Sequence, residues 1–171
     1  MESGTLERNV LPDELEPAPD SSGDEFKIVV VYQGALAQEW AMQMCEPVWQ
    51  KFGGEFVRDT WHDINSLGTT KILLEAVRAT LTADVIVIAV HAAEELPPDL
   101  CAWIDIWLPR RNARTGALAA LIGIAGQLDA HAASTQEYLQ AVARRGELDF
   151  VPQEHRLPVA NGVAEVAQVG E

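Results

Sequence analysis

Ala83-Asp84-Val85-Ile86-Val87-Ile88-Ala89-Val90-His91, then Ala92-Ala93-Glu94-Glu95-Leu96-Pro97-Pro98-Asp99-Leu100, then Cys101-Ala102-Trp103-Ile104-Asp105-Ile106-Trp107-Leu108 is the stretch whose reading decides the fold. Val85 to Val90 is an unbroken apolar run rich in β-branched residues. A strand with one wet face would alternate, so this run predicts a strand covered on both faces, as in a parallel sheet. Leu96-Pro97-Pro98 opens a helix, because a proline in the first turn loses no hydrogen bond. Leu100, Ile104 and Leu108 give that helix an apolar stripe. The connection between strand and helix has the length usual for a βα unit, and it falls where open α/β sheets place their ligands, beyond the carboxyl end of a strand.

The same alternation of strand and helix extends in both directions. Phe26 to Tyr32 is a second continuous apolar run and predicts strand 1. Gln33-Gly34-Ala35 connects it to helix 1, which carries Leu36, Trp40, Met44, Val48 and Phe52 to about residue 52. Pro47 should kink or break that helix, and Gly53-Gly54 should end it with a left-handed cap. Glu55 to His62 alternates, as a sheet edge does, and is strand 2. Asp63 to Gly68 is a loop. Thr69 or Thr70 caps helix 2, with Leu73, Leu74, Val77 and Leu81 on its apolar face. Helix 3 follows the opening strand, and Arg110, Arg111 and Arg114 suit its C-terminal end.

Gly116 to Ala125 predicts strand 4, and Gly126 to Ala133 a loop. Ser134-Thr135-Gln136-Glu137 has the form of a capping box, which starts helix 4 there, with Gly146 ending it. Leu148, Phe150 and Val151 mark a fifth strand broken by Pro152. The expected domain therefore spans residues 25–153. Residues 1–24 hold seven acids and one base and read as a disordered acidic tail, and residues 154–171 read as an irregular C-terminal tail. Five strands alternating with helices predict an α/β three-layer sandwich around a five-stranded parallel sheet. Pattern alone leaves the strand order open between flavodoxin-like 2-1-3-4-5 and a Rossmann half.

Composition narrows the function classes. With 171 residues and 48% hydrophobic content the chain can bury one sizeable core. A net charge of −14 argues against nucleic acid and against an anionic membrane surface, and it would steer in a basic protein partner. The acidic N-terminus lacks the features of a secretory signal, and no apolar run reaches the roughly 18 residues of a spanning helix. A cytoplasmic protein is expected. Cys45 and Cys101, each inside an apolar helical pattern, read as buried thiols in a reducing compartment.

The residues Ala83 to Val90, Glu95-Leu96-Pro97, Leu100 and Trp103 to Leu108 resemble the flavodoxin-like NAD(P)H-dependent FMN reductases. Those proteins carry Ala-Asp, an apolar strand, a small-Leu-Pro step and a helix with a similar apolar and acidic pattern. The resemblance selects strand order 2-1-3-4-5. It implies FMN held at the ends of strands 1, 3 and 4, flavin or quinone reduction, and a homodimer. By position, the implied cofactor contacts are Gln33, Gly34, Ala35, His91, Ala92, Gly126 and Gln127. No side chain stands out as a catalytic acid or base. Two departures accompany the resemblance. The family's phosphate loop is rich in Ser and Thr, whereas this chain reads Gln33-Gly34-Ala35-Leu36-Ala37-Gln38. His91 to Glu94 carry no aromatic to cover a flavin ring. The alternative reading is therefore the same fold without flavin, acting as an interaction or regulatory module.

Further side chains complete the candidates. His62, His91 and His131 fall at or beyond the ends of strands 2, 3 and 4, beside Asp63, Glu94 and Asp129. In order 2-1-3-4-5, strands 2 and 4 stand about 14 Å apart at about 4.8 Å per strand, which keeps His62 from the others. His91 and His131 could approach each other as a metal or hydrolytic site, but polar loop histidines are the preferred reading and no metal site is assigned. Trp61, near the strand 2 exit, either packs under a loop or stacks on a ligand. Trp103 and Trp107 cannot both belong to the Leu100 stripe, so one of them widens the buried face or makes a dimer contact. The usual dinucleotide, Walker A, hydrolase-elbow and zinc-protease motifs are absent.

Overall fold

The structure is a computed structural model and describes residues 25–91, 95–111, 115–124 and 130–157. The expected N-terminal tail and residues 158–171 lie outside the described residues. Five strands, β1 (Phe26–Tyr32), β2 (Val57–Asp63), β3 (Val85–His91), β4 (Ala117–Ile124) and β5 (Asp149–Arg156), form one sheet. Its order is β2-β1-β3-β4-β5 and every pairing is parallel. Four helices, α1 (Gly34–Phe52), α2 (Thr70–Leu81), α3 (Pro98–Trp107) and α4 (Ala130–Arg145), complete a three-layer α/β sandwich consistent with a flavodoxin-like fold.

The continuous apolar runs split cleanly by strand periodicity. Val29, Val31, Ile86, Ile88, Val90, Leu118, Ala120 and Ile122 face α2, α3 and α4. Ile28, Val30, Val87, Ala89, Ala119 and Leu121 face α1. The first face holds the larger core. Leu100, Trp103, Ile104 and Trp107 of α3 all lie within it, none more than 1% exposed. Trp103 and Trp107 meet edge to face, with centroids 5.6 Å apart. Both indoles thus widen the buried face, and neither is available for a dimer contact.

Asp84, in the motif that carries the family resemblance, serves the other end of the sheet. Its carboxylate accepts the Lys27 backbone N–H at 2.9 Å, and its own N–H and carbonyl bond to Lys27 and Ala117. One residue therefore ties together the beginnings of β1, β3 and β4.

Several boundaries differ from the sequence expectation. Helix α1 begins at Gly34, so the connection from β1 is Gln33 alone. Gly34 has φ +85°, and a Cβ there would meet nothing within 4 Å, so backbone conformation favours glycine and space does not. The helix runs through Pro47 unbroken. Both Pro47 and Gln43, whose carbonyl loses its helical donor, are exposed, which leaves that carbonyl to water. The line Leu36 to Phe52 leaves the sheet because each step of four residues overshoots a turn by about 40°. Ala37, Trp40, Ala41 and Cys45 are buried, and Phe52 is exposed. Residues Gly54–Phe56 form a short 3-10 turn before β2, and Ile64–Gly68 another after it, with the Asp63 side chain accepting the Asn65 N–H.

Helix α4 starts four residues before the expected capping box. Once it runs from Ala130, the N–H groups of residues 134–137 bond back to residues 130–133, so the box has no orphan donors to cap. Its C-terminus is closed by Leu148 N–H to Ala143 O (2.8 Å) and Glu147 N–H to Arg144 O (3.2 Å). The left-handed residue of this motif is Glu147, at φ +56°, and not Gly146. Gly146 answers to space, since a Cβ there would press on Leu108 at 3.2 Å.

Strand β5 continues through Pro152 to Arg156. Asp149 N–H reaches Gly116 O and Leu157 N–H reaches Ile124 O, so odd-numbered residues direct their N–H groups at β4. Position 152 faces outward from the last strand of the sheet, where a proline removes no ladder bond and blunts the edge. The domain accordingly extends past residue 153.

Arg111 is 2% exposed and does not serve as surface charge at the end of its own helix. Its guanidinium donates to the carbonyls of Thr80 (2.7 Å) and Thr115 (3.0 Å), closing the C-terminus of α2. Gly116 makes room for it, since a Cβ there would lie 2.7 Å from Arg111 Nη2. Arg110 does satisfy the end of α3, donating to Ile106 O. Arg114 lies outside the described residues. Among those described, no helix is long and apolar enough to cross a membrane.

Candidate functional site

The carboxyl ends of β1 and β3 meet at Gln33. Its backbone N–H donates to Ala89 O at 2.9 Å. Its side-chain Oε1 accepts the His91 backbone N–H at 2.7 Å. The residue that leaves β1 therefore stitches the exit of β3 with both main chain and side chain. Gly34 and Ala35 follow as the first residues of α1, where helical N–H groups lack internal partners. Ala35 is exposed. Of these residues Gln33 meets His91 directly, and Gly34 and Ala35 adjoin Gln33 along the chain. Ala92, Gly126 and Gln127 lie outside the described residues, as do Glu94 and Asp129.

His91 points to the α1 face, and there a residue not singled out from sequence dominates. The Trp40 indole is 6% exposed. It meets the His91 ring edge-on at 5.9 Å and stacks flat on His155 at 4.7 Å and 13°. Gly123 lies beneath it: a Cβ at that position would approach Trp40 Cη2 to 2.5 Å. Trp40 thus closes over the ends of β3, β4 and β5. Burial lowers the His155 pKa, and its Nε2 shares a hydrogen bond with Gln153 Oε1 at 2.8 Å. No local signal marks this trio, because His155 joins it only if β5 runs through Pro152.

The three histidines noted from sequence are dispersed. His62 is on the opposite face from His91, with its pKa lowered by burial against a smaller upward pull from Glu75. His131 is on α4 and lines a cleft of about 400 Å³ with Glu95, Leu96, Ser134, Thr135 and Tyr138. Burial raises the Tyr138 pKa, and the neighbouring Cys101 raises it further. Among the described residues, no group of three His, Cys, Asp or Glu side chains is placed to hold a metal ion.

The fit of an FMN phosphate to the β1–α1 turn can be judged from the donors present. From Gln33 to Gln38 there is no hydroxyl and no base. The one polar side chain at the turn itself, Gln33, has its oxygen engaged by His91, which leaves its amide nitrogen as the one side-chain donor there. The helix N-terminus adds backbone donors, without the hydroxyls that ordinarily complete such a site. The β1–α1 turn thus lacks the hydroxyl donors that the resemblance implies for the cofactor's phosphate. Comparison of the sequence with protein-family models finds no match, and comparison with curated proteins finds no relative.

Proposed function

We propose that this chain is a flavodoxin-fold interaction module that works without flavin and docks a basic protein partner. The observation that carries the reading is the Gln33 bridge: the chain's own side chain spans the β1–β3 crevice at 2.7 Å, where this fold would place a ligand. A phosphate at the turn would have to do without hydroxyl donors, each worth about 1.5–3 kcal/mol toward an anion. It would also approach a chain of net charge −14. That same charge favours a basic partner by steering and complementarity.

The test is a fluorescence titration of FMN with the full chain. No saturation is expected up to about 100 μM, a limit equivalent to about 5.5 kcal/mol. Saturable quenching below that concentration would overturn the reading and restore a flavin-dependent oxidoreductase. In affinity capture on the full chain, retained proteins should be basic and should elute as salt rises towards about 1 M, where charges are screened beyond about 3 Å. Retention of acidic proteins, insensitive to salt, would remove the basic partner from the proposal.

A further inference from the structure

We propose that the cleft between α1 and the edge strand β2 binds a methylated ammonium group. The inference stands apart from the flavin question, because this cleft lies on a different part of the molecule from the β1–β3 crevice. Gln38, Met42, Trp49, Asp59 and Trp61 line about 270 Å³. Strand alternation sends Val57, Asp59 and Trp61 to the α1 side. Helical spacing sets Gln38, Met42 and Trp49 along the α1 surface facing them.

The shape selects the ligand's shape. Trp49 and Trp61 have ring centroids 6.3 Å apart and planes 45° apart. They are adjoining walls of a corner and not parallel plates, so a flat ring can stack on one of them only. A compact, nearly spherical cation can contact both π faces at the range where cation–π attraction acts. Tyr32 backs the corner, its centroid 6.3 Å from that of Trp61. Met42 is 47% exposed and adds a polarizable thioether wall.

Electrostatics selects a cation. Asp59 is among the residues that line the cleft, and the Trp49 Nε1–H donates to its Oδ2 at 3.1 Å, fixing indole and carboxylate together at the edge of an otherwise apolar surface. Among the described residues, no lysine or arginine lines the space. Arg58 faces the other side of β2 and pairs with Glu25 at 3.2 Å, while Lys51 sits over the Phe52 ring at 5.5 Å. A bare ammonium would bring three N–H donors into a space with few acceptors. Methylation removes those donors and adds apolar surface, while the charge that the rings and Asp59 attract is kept.

The test is tryptophan fluorescence and calorimetry on the full chain with three probes: choline, N-acetyl-trimethyllysine amide, and 3,3-dimethylbutan-1-ol, the uncharged isostere of choline. Choline or the lysine derivative should saturate, and the isostere should bind about tenfold or more weakly, because it lacks the charge. Tighter binding of the lysine derivative assigns the site to a modified protein tail; tighter binding of choline assigns it to a small molecule. Asp59→Asn keeps an acceptor for the Trp49 N–H and should lose about tenfold in affinity with its melting temperature unchanged. Trp61→Leu should abolish binding. Failure of both charged probes to saturate by about 10 mM would overturn the inference. So would equal binding of the isostere, or unaltered affinity in Asp59→Asn. The isostere comparison uses the unmodified chain and decides the matter even where a variant misfolds.

Discussion

The two faces of the sheet are made from the same Val, Ile and Ala strands, yet they are finished differently. Beneath α2, α3 and α4, aliphatic side chains and two fully buried tryptophans make a closed core. On the other face α1 is the one helical cover among the described residues. Its small residues Ala37 and Ala41 are buried against the strands. Trp40 closes over His91, His155 and Gly123. Towards β2 the indoles of Trp49 and Trp61 remain only partly buried, and Met42 and, on β5, Val151 are exposed. The difference teaches that one sheet can carry two kinds of packing. One face is covered by three helices over a large aliphatic core, and the other leaves aromatic side chains partly exposed beside α1.

The sharpest way to break that comparison is to truncate one tryptophan on each face. Trp103→Ala should cost about 3–5 kcal/mol in urea unfolding, the range for a fully buried large side chain. Trp61→Ala should cost well under half as much. Equal losses would mean that the α1 face is as much a core as the other. Gly123→Ala comes next. Its new methyl group meets Trp40 within contact distance, and overpacking of this kind costs about 1–3 kcal/mol. The His155 stack should loosen with it, visible as changed tryptophan fluorescence and histidine NMR shifts. On the closed face, Glu147→Gly should stabilise by about 1 kcal/mol, since an L-residue at positive φ carries about 1–2 kcal/mol of strain. A destabilised variant would show that Glu147 makes a compensating contact.

The smallest expected effect is in pH dependence. Burial lowers the pKa of His62 on one face and of His155 on the other. The unfolded chain therefore takes up these protons first as the pH falls. The contribution of the neutral rings is full above the unfolded value of about 6.5 and is lost as the pH drops from there through the lowered folded values. The melting temperature should fall between about pH 7 and 5.5, and His62→Gln with His155→Gln should flatten the slope. A slope that persists in the double variant would place the titration elsewhere.

Much of the scaffold was legible before any tertiary information. The ends of β1 and the buried span of β3 follow from unbroken apolar runs. The start of α3 follows from Pro97-Pro98, and the edge position of β2 from its alternation. Each of these signals is local. The misread places are those where a local signal is outvoted by context. Ser134 to Glu137 has the chemistry of a cap but lies inside a helix that began earlier. Pro152 has the chemistry of a strand breaker but faces outward from a sheet edge. Arg111 has the look of surface charge but is drawn inward by the carbonyls of Thr80 and Thr115, the first of them buried.

The candidate site divides the same way. Gln33 and His91 were identifiable from their positions after β1 and β3, but their hydrogen bond joins residues 58 apart in sequence. The Trp40–His91–His155 contact and the Trp49–Asp59–Trp61 cleft carry no spacing by which they could be found. By itself the sequence determined which segments are strands and helices and that both sheet faces would be covered, because periodicity and turn chemistry act over a few residues. Only the tertiary structure decided that α1 alone packs on one face among the described helices, that Gln33 turns back upon His91, and that two partly buried indoles form a corner with Asp59. Those outcomes depend on strand order and register, which bring distant residues to within a few ångströms and leave no periodic trace along the chain.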